Sequence, residues 1–170
     1  AVPHTVDQAA FFQHDRMSAA LFLAGGCRPT LTNQPKPTPA AIIQPAISLI
    51  NRCSSDTSLN TMAYKAAFDT TTTSLVVFLG KSLNQYDYKW EIPLKEIDKS
   101  GFMLFRVDYN VSSITLNTIG AQPLVKYYKD RHFKSYASQF VLYLGKCYSS
   151  DEKELVLEKL YQAIVEAQKE

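Results

Sequence analysis

With 170 residues, 46% of them hydrophobic and 20% charged, the chain holds enough core material for one domain; this composition excludes global disorder, a collagen-like repeat and a coiled coil. A formal net charge of +2 is too small to mark a nucleic-acid coat or a membrane-seeking protein, so only local clustering could argue for either. The longest apolar run, residues 17–26, is about half of the roughly 20 residues that a bilayer-spanning helix needs.

Thr5 and Gln8 stand in capping-box spacing and Gly25-Gly26 supply a stop, which predicts a first helix over residues 5–24. Phe11, Phe12, Leu21 and Phe22 are the apolar side chains this helix would offer to a partner protein. Its end, Leu21-Phe22-Leu23-Ala24-Gly25-Gly26-Cys27, resembles the acylation box of bacterial lipoproteins, with a proline-rich tether behind it. Ala24 stands where that family places leucine, and only Arg16 supplies a basic start, so a buried helix is preferred to a lipid anchor. Pro29, Pro35, Pro37 and Pro39 then predict a stiff extended linker. A second helix is expected from about 39 to 53, with Ile42, Ile43, Ala46, Ile47 and Ile50 on one face and Pro45 either kinking it or opening its main part.

After Asn60 the hydrophobic rhythm changes from about 3.6 to 2 residues. Met62, Tyr64, Ala66 and Phe68 alternate, and residues 75–79 (LVVFL) read as a strand buried on both faces. Tyr86, Tyr88, Trp90 and Ile92 alternate with Asp87, Lys89 and Glu91, a half-buried strand ended by Pro93. Trp90 belongs to the core on this pattern. Further strands over 102–107, 114–116, 124–128 and 140–144 are separated by turn residues, and such short connections imply an antiparallel meander. A final helix over 150–168 starts at Ser149 or Ser150, with Leu157, Leu160, Tyr161, Ile164 and Ala167 as its buried stripe. Burying four large side chains contributes on the order of 6–12 kcal/mol before entropy is subtracted.

The expected fold is therefore α+β: an antiparallel sheet of six or seven strands, twisted or partly closed into a barrel, with a C-terminal capping helix. That domain spans 54–170, and a helical, proline-linked arm spans 1–53. The element order is similar to that of pleckstrin-homology-like barrels, a resemblance of architecture that carries over no phosphoinositide site.

Residues 126–136 (KYYKDRHFKSY) form the strongest candidate site. Lys126, Lys129, Arg131, His132 and Lys134 are interleaved with aromatic rings, Tyr128 among them, and such a mixture suits an anionic ligand. The plainer alternative is a solvated hairpin whose charges prevent edge aggregation. No HExxH, paired CxxC, GxSxG, P-loop or dinucleotide motif occurs, so no metal, cofactor or catalytic residue is expected; His14 beside Asp15 reads as a solvated helical turn. Three cysteines leave one thiol over from any internal bridge, and Cys27 with Cys53 is the first pair to test. A start at Ala1 without methionine and an Asn110-Val111-Ser112 acceptor triplet lean towards a secreted or periplasmic setting, cytoplasmic being the alternative.

Three functions follow in order. The first is a non-catalytic interaction or assembly subunit that contacts another protein, a homo- or hetero-oligomer partner, through its arm. The second is a module that binds a lipid head group, glycan or nucleic acid through residues 126–136. The third is an enzyme built from dispersed residues.

Overall fold

A computed structural model describes residues 36–55, 64–107 and 110–169. The first predicted helix, with Phe11, Phe12, Leu21, Phe22 and Cys27, lies outside them. Helix α1, Pro39–Arg52, begins where Thr38 Oγ1 accepts from Ala41 N (3.3 Å), with Pro39 in the first turn, where its missing N–H costs nothing. Pro45 sits inside the helix on its exposed side, while Ile43, Ala46, Ile47 and Ile50 are buried.

Among the described residues eight strands follow: β1 Lys65–Asp69, β2 Ser74–Ser82, β3 Gln85–Pro93, β4 Leu104–Arg106, β5 Ser112–Asn117, β6 Val125–Lys129, β7 His132–Ala137 and β8 Gln139–Leu144. All pair antiparallel, as expected, but in two sheets: five strands ordered β1-β2-β3-β6-β7 and three ordered β4-β5-β8. The architecture is α+β and neither sheet is closed. A simple meander is corrected here, because β3 lies beside β6 and β5 beside β8. The β4–β5 hairpin leaves the first sheet after Pro93 and builds the second, and the chain returns to the first only at β6.

Ile92 and Val77 of the first sheet, Ile114, Leu116 and Leu142 of the second, and Ile43 and Ile50 of α1 share one core. Across it, the Trp90 and Phe140 rings lie 5.3 Å apart, and Tyr64 meets both edge-on. Burial pushes the Tyr64 phenol up to about 12.

Helix α2, Ser150–Ala167, closes this core. Ser149 and Glu152 form a reciprocal capping box, in which Glu152 N donates to Ser149 Oγ and Ser149 N donates to Glu152 Oε2. The buried stripe is rotated from the expected one. Val156, Leu160, Ala163, Ile164 and Ala167 face inward, whereas Tyr161 is exposed and leans on the Phe102 ring. Glu166 is also buried, and is paired with Lys36 and Lys169.

The boundary expected at 53/54 is also corrected. Pro35–Glu170 form one compact unit, because the Ile face of α1 packs on the same core as α2. Arg52 Nη1 donates to Glu152 Oε1 (2.8 Å), joining the end of α1 to the start of α2. Cys53 is bonded to Cys147, which corrects the expected Cys27–Cys53 pair. Cys147 lies in the turn between β8 and α2, so the bridge joins α1 to that turn. Sequence distance hid the pairing, since 94 positions separate the two sulfurs.

Candidate functional site

Residues 126–136 fold as the β6–β7 hairpin. Asp130 and Arg131 form its two-residue turn with φ of 50° and 67°, the left-handed pair that matches the twist of the flanking strands. Asp130 N donates to Asp87 O (2.8 Å), anchoring the turn to β3.

Asp87 is available for this because β3 bulges there. Leu79 pairs with Tyr88 but Gly80 pairs with Tyr86, so Asp87 is an extra residue. Gly80 permits the bulge: its φ is 143°, and a Cβ would lie 2.5 Å from Tyr86 Cα. The predicted alternation through Tyr86 therefore breaks. Tyr86 turns to the face of Lys89, whose Nζ lies 5.1 Å from the Tyr86 ring centroid.

Cross-strand neighbours share a face of the sheet, and the register of β3 with β6 sorts the candidate residues accordingly. On the inward face, Tyr88, Trp90 and Tyr127 stack with centroids 5.6–6.4 Å apart, a row that starts at the core and ends under Lys129, 5.7 Å above Tyr88. On the outward face, Glu91 is the hub. Lys89 Nζ reaches its Oε1 at 2.8 Å, the Tyr128 hydroxyl donates to its Oε2 at 3.1 Å, and Lys126 Nζ lies 3.6 Å from that oxygen. Burial pushes the Glu91 carboxyl up, but the hydrogen bond and charge of Lys89, with Tyr128 and Lys126, hold it below its ordinary value. Burial, and then the bond to Glu91, push Tyr128 up to about 12.

The six residues read as one cluster thus have two roles. Lys126 and Tyr128 are held in the Glu91 network, together with Lys89, which lies 4.1 Å over the Tyr128 ring. Lys129 and His132 face each other beside the turn, Arg131 is at its tip, and Lys134 lies on β7. Among the described residues no carboxylate forms an ion pair with Lys129, Arg131 or Lys134.

Sequence reasoning missed Lys89 and Glu91 as members of this surface. They were visible only as the polar half of an alternating strand, and their relevance depends on β6 lying beside β3. On the outward face of the same hairpin, Phe133 and Tyr136 are 48% and 53% exposed with centroids 5.0 Å apart, and Phe133 also meets Tyr128 edge-on. Two large rings this open, on a hairpin whose Lys129, Arg131 and Lys134 have no carboxylate partner among the described residues, make a contact surface with apolar area and charge together.

Two clefts lie elsewhere. One of about 310 Å3 is lined by Arg106, Lys153, Glu154, Ser112, Ser150 and Leu104; Lys153 donates to Asn110 O (3.0 Å), and burial with the charge of Arg106 lowers its pKa. The other, of about 490 Å3, includes Ile97, Ile119, Tyr161 and Gln168. Among the described residues neither has a histidine or cysteine in its lining. Among the described residues no group of three or more His, Cys, Asp or Glu side chains is arranged to hold a metal, and no helix is long and apolar enough to cross a membrane.

The fold and this surface define an α+β two-sheet domain presenting a cationic, aromatic hairpin. Comparison of the chain with protein-family models, curated proteins and solved structures found no match.

Proposed function

We propose that the chain is a non-catalytic protein-interaction subunit whose β6–β7 hairpin contacts an acidic protein partner. One observation carries this reading: on the β6–β7 hairpin Phe133 and Tyr136 stand open to solvent on the outward face, and the hairpin's Lys129, Arg131 and Lys134 carry no carboxylate partner among the described residues. The rings supply apolar area to bury and the cations supply attraction and orientation. Contact through the part of the arm ahead of α1 remains in the same reading as a second attachment, since the apolar face of α1 itself is committed to the core. The Cys53–Cys147 bridge supports an extracytoplasmic, oxidising setting, in which such bonds persist.

Binding of poly-glutamate to the full chain tests the reading. A Lys129→Glu, Arg131→Glu double variant should lose at least about tenfold in affinity, and raised salt should weaken the unaltered chain's binding. Equal binding by variant and parent would remove the hairpin from the contact.

A further inference from the structure

The two edges of the five-stranded sheet are finished differently. At β1 the edge is covered: Asn51 of α1 donates from Nδ2 to Ala66 O (2.9 Å) and accepts at Oδ1 from Ala66 N (2.7 Å), so one side chain takes the place of a neighbouring strand. At β7 no described strand lies beyond. His132 to Tyr136 are exposed along their whole length and Ala137 is half-buried. Sheet edges are commonly blunted by proline, by lysine and other charge, by β-bulges or by a covering element. Of these β7 has a lysine, Lys134, at a bulge, the register shift opposite Tyr127 and Tyr128, but no proline and no covering strand among the described residues.

We propose that β7 accepts an added strand from an acidic, extended segment of another protein, so that the five-stranded sheet becomes six-stranded on binding. This rests on the interaction reading above and names its partner's chemistry and its mode. Backbone hydrogen bonds to the open edge supply the register. Alternate apolar side chains of the added strand meet Phe133 and Tyr136, and its carboxylates meet Lys134, Arg131 and Lys129. A second copy of this chain is a poor occupant, because β7 against β7 sets Lys134 and Arg131 of one copy near those of the other. Charge complementarity therefore selects an acidic strand.

The test uses the full chain and a synthetic peptide in which glutamate alternates with valine. Two further forms carry N-methyl groups on one or the other alternating set of backbone amides. One set would face β7 and the other would face solvent. The expected result is binding of the parent peptide, a loss of about ten- to hundredfold for one methylated form, and little change for the other. Amides of β7 should also gain protection from hydrogen exchange.

Equal binding by all three peptides overturns strand addition while leaving the interaction reading intact, since contact then comes from side chains alone. No binding of the parent peptide, with binding to phosphatidylserine vesicles instead, overturns both.

Discussion

Arg131 occupies a backbone position that its side chain does not favour. Its φ of 67°, next to Asp130 at 50°, makes the turn of the type for which glycine is preferred at the second position. A non-glycine residue in the left-handed region costs about 1–2 kcal/mol. Arg131→Gly relieves that strain but frees the unfolded chain, so the net gain in stability should be about 0.5–1 kcal/mol, read from the denaturation midpoint. The same substitution should weaken poly-glutamate binding. A variant both more stable and a poorer binder is the signature of a residue kept for contact; a loss of stability would contradict the turn geometry.

Glu152 has a pH consequence. The Arg52 hydrogen bond, then that of Ser149 N, holds its carboxyl at about 2, below its ordinary 4.5. A depressed carboxylate contributes stability that is present above its unfolded value and is lost as pH falls through its folded value. The parent should therefore exceed Glu152→Gln in stability at neutral pH, and the difference should shrink between about 4.5 and about 2. A difference constant through that window would mean that the α1–α2 ion pair does not form in solution.

Among the elements, the Cys53–Cys147 bridge and helix α1 have the largest consequences for the chain. The bridge closes a loop of 94 positions, and in the chain-entropy model such a closure contributes about 4–5 kcal/mol. Cys147→Ser should lower the thermal midpoint accordingly, and reduction of the parent should lower it to a similar value. An unchanged midpoint on reduction would contradict the pairing.

Elements with a strong local pattern were legible from sequence. The Ile face of α1, the LVVFL run of β2, the β3 alternation from Tyr88 to Ile92 and the capped α2 all stand where periodicity placed them, while the Asp87 bulge breaks the alternation at Tyr86. What was not legible is long-range. The split into two sheets, the β3–β6 and β5–β8 neighbours and the Cys147 partner depend on pairings between distant segments, which local rhythm does not encode. In α2 the stripe was legible at Leu160, Ile164 and Ala167 but not at Val156 and Ala163, because α1 covers a flank that an isolated amphipathic helix would leave wet. In the candidate site the cations and rings were legible as a cluster, but the division of labour was not. Lys126 and Tyr128 are committed to Glu91 only because β6 lies beside β3.

For the whole molecule, the decisive feature is asymmetry between a finished edge and an open one. Two helices, a disulfide and a shared core hold one end of the five-stranded sheet, where Asn51 closes β1. At the other end the hairpin carries an aromatic row outward from Trp90 to Tyr88, under Lys129, and exposes Phe133 and Tyr136. Rigid anchoring of the bulge and turn lowers the ordering cost of binding there.

The most direct measurement is an amide chemical-shift map of the isotopically labelled full chain titrated with poly-glutamate. Perturbations concentrated in β6, the Asp130-Arg131 turn and β7, and abolished by the Lys129→Glu, Arg131→Glu double variant, are the expected result. Perturbations centred instead on the Arg106–Lys153 cleft, or none in β7, would contradict the hairpin as the contact surface.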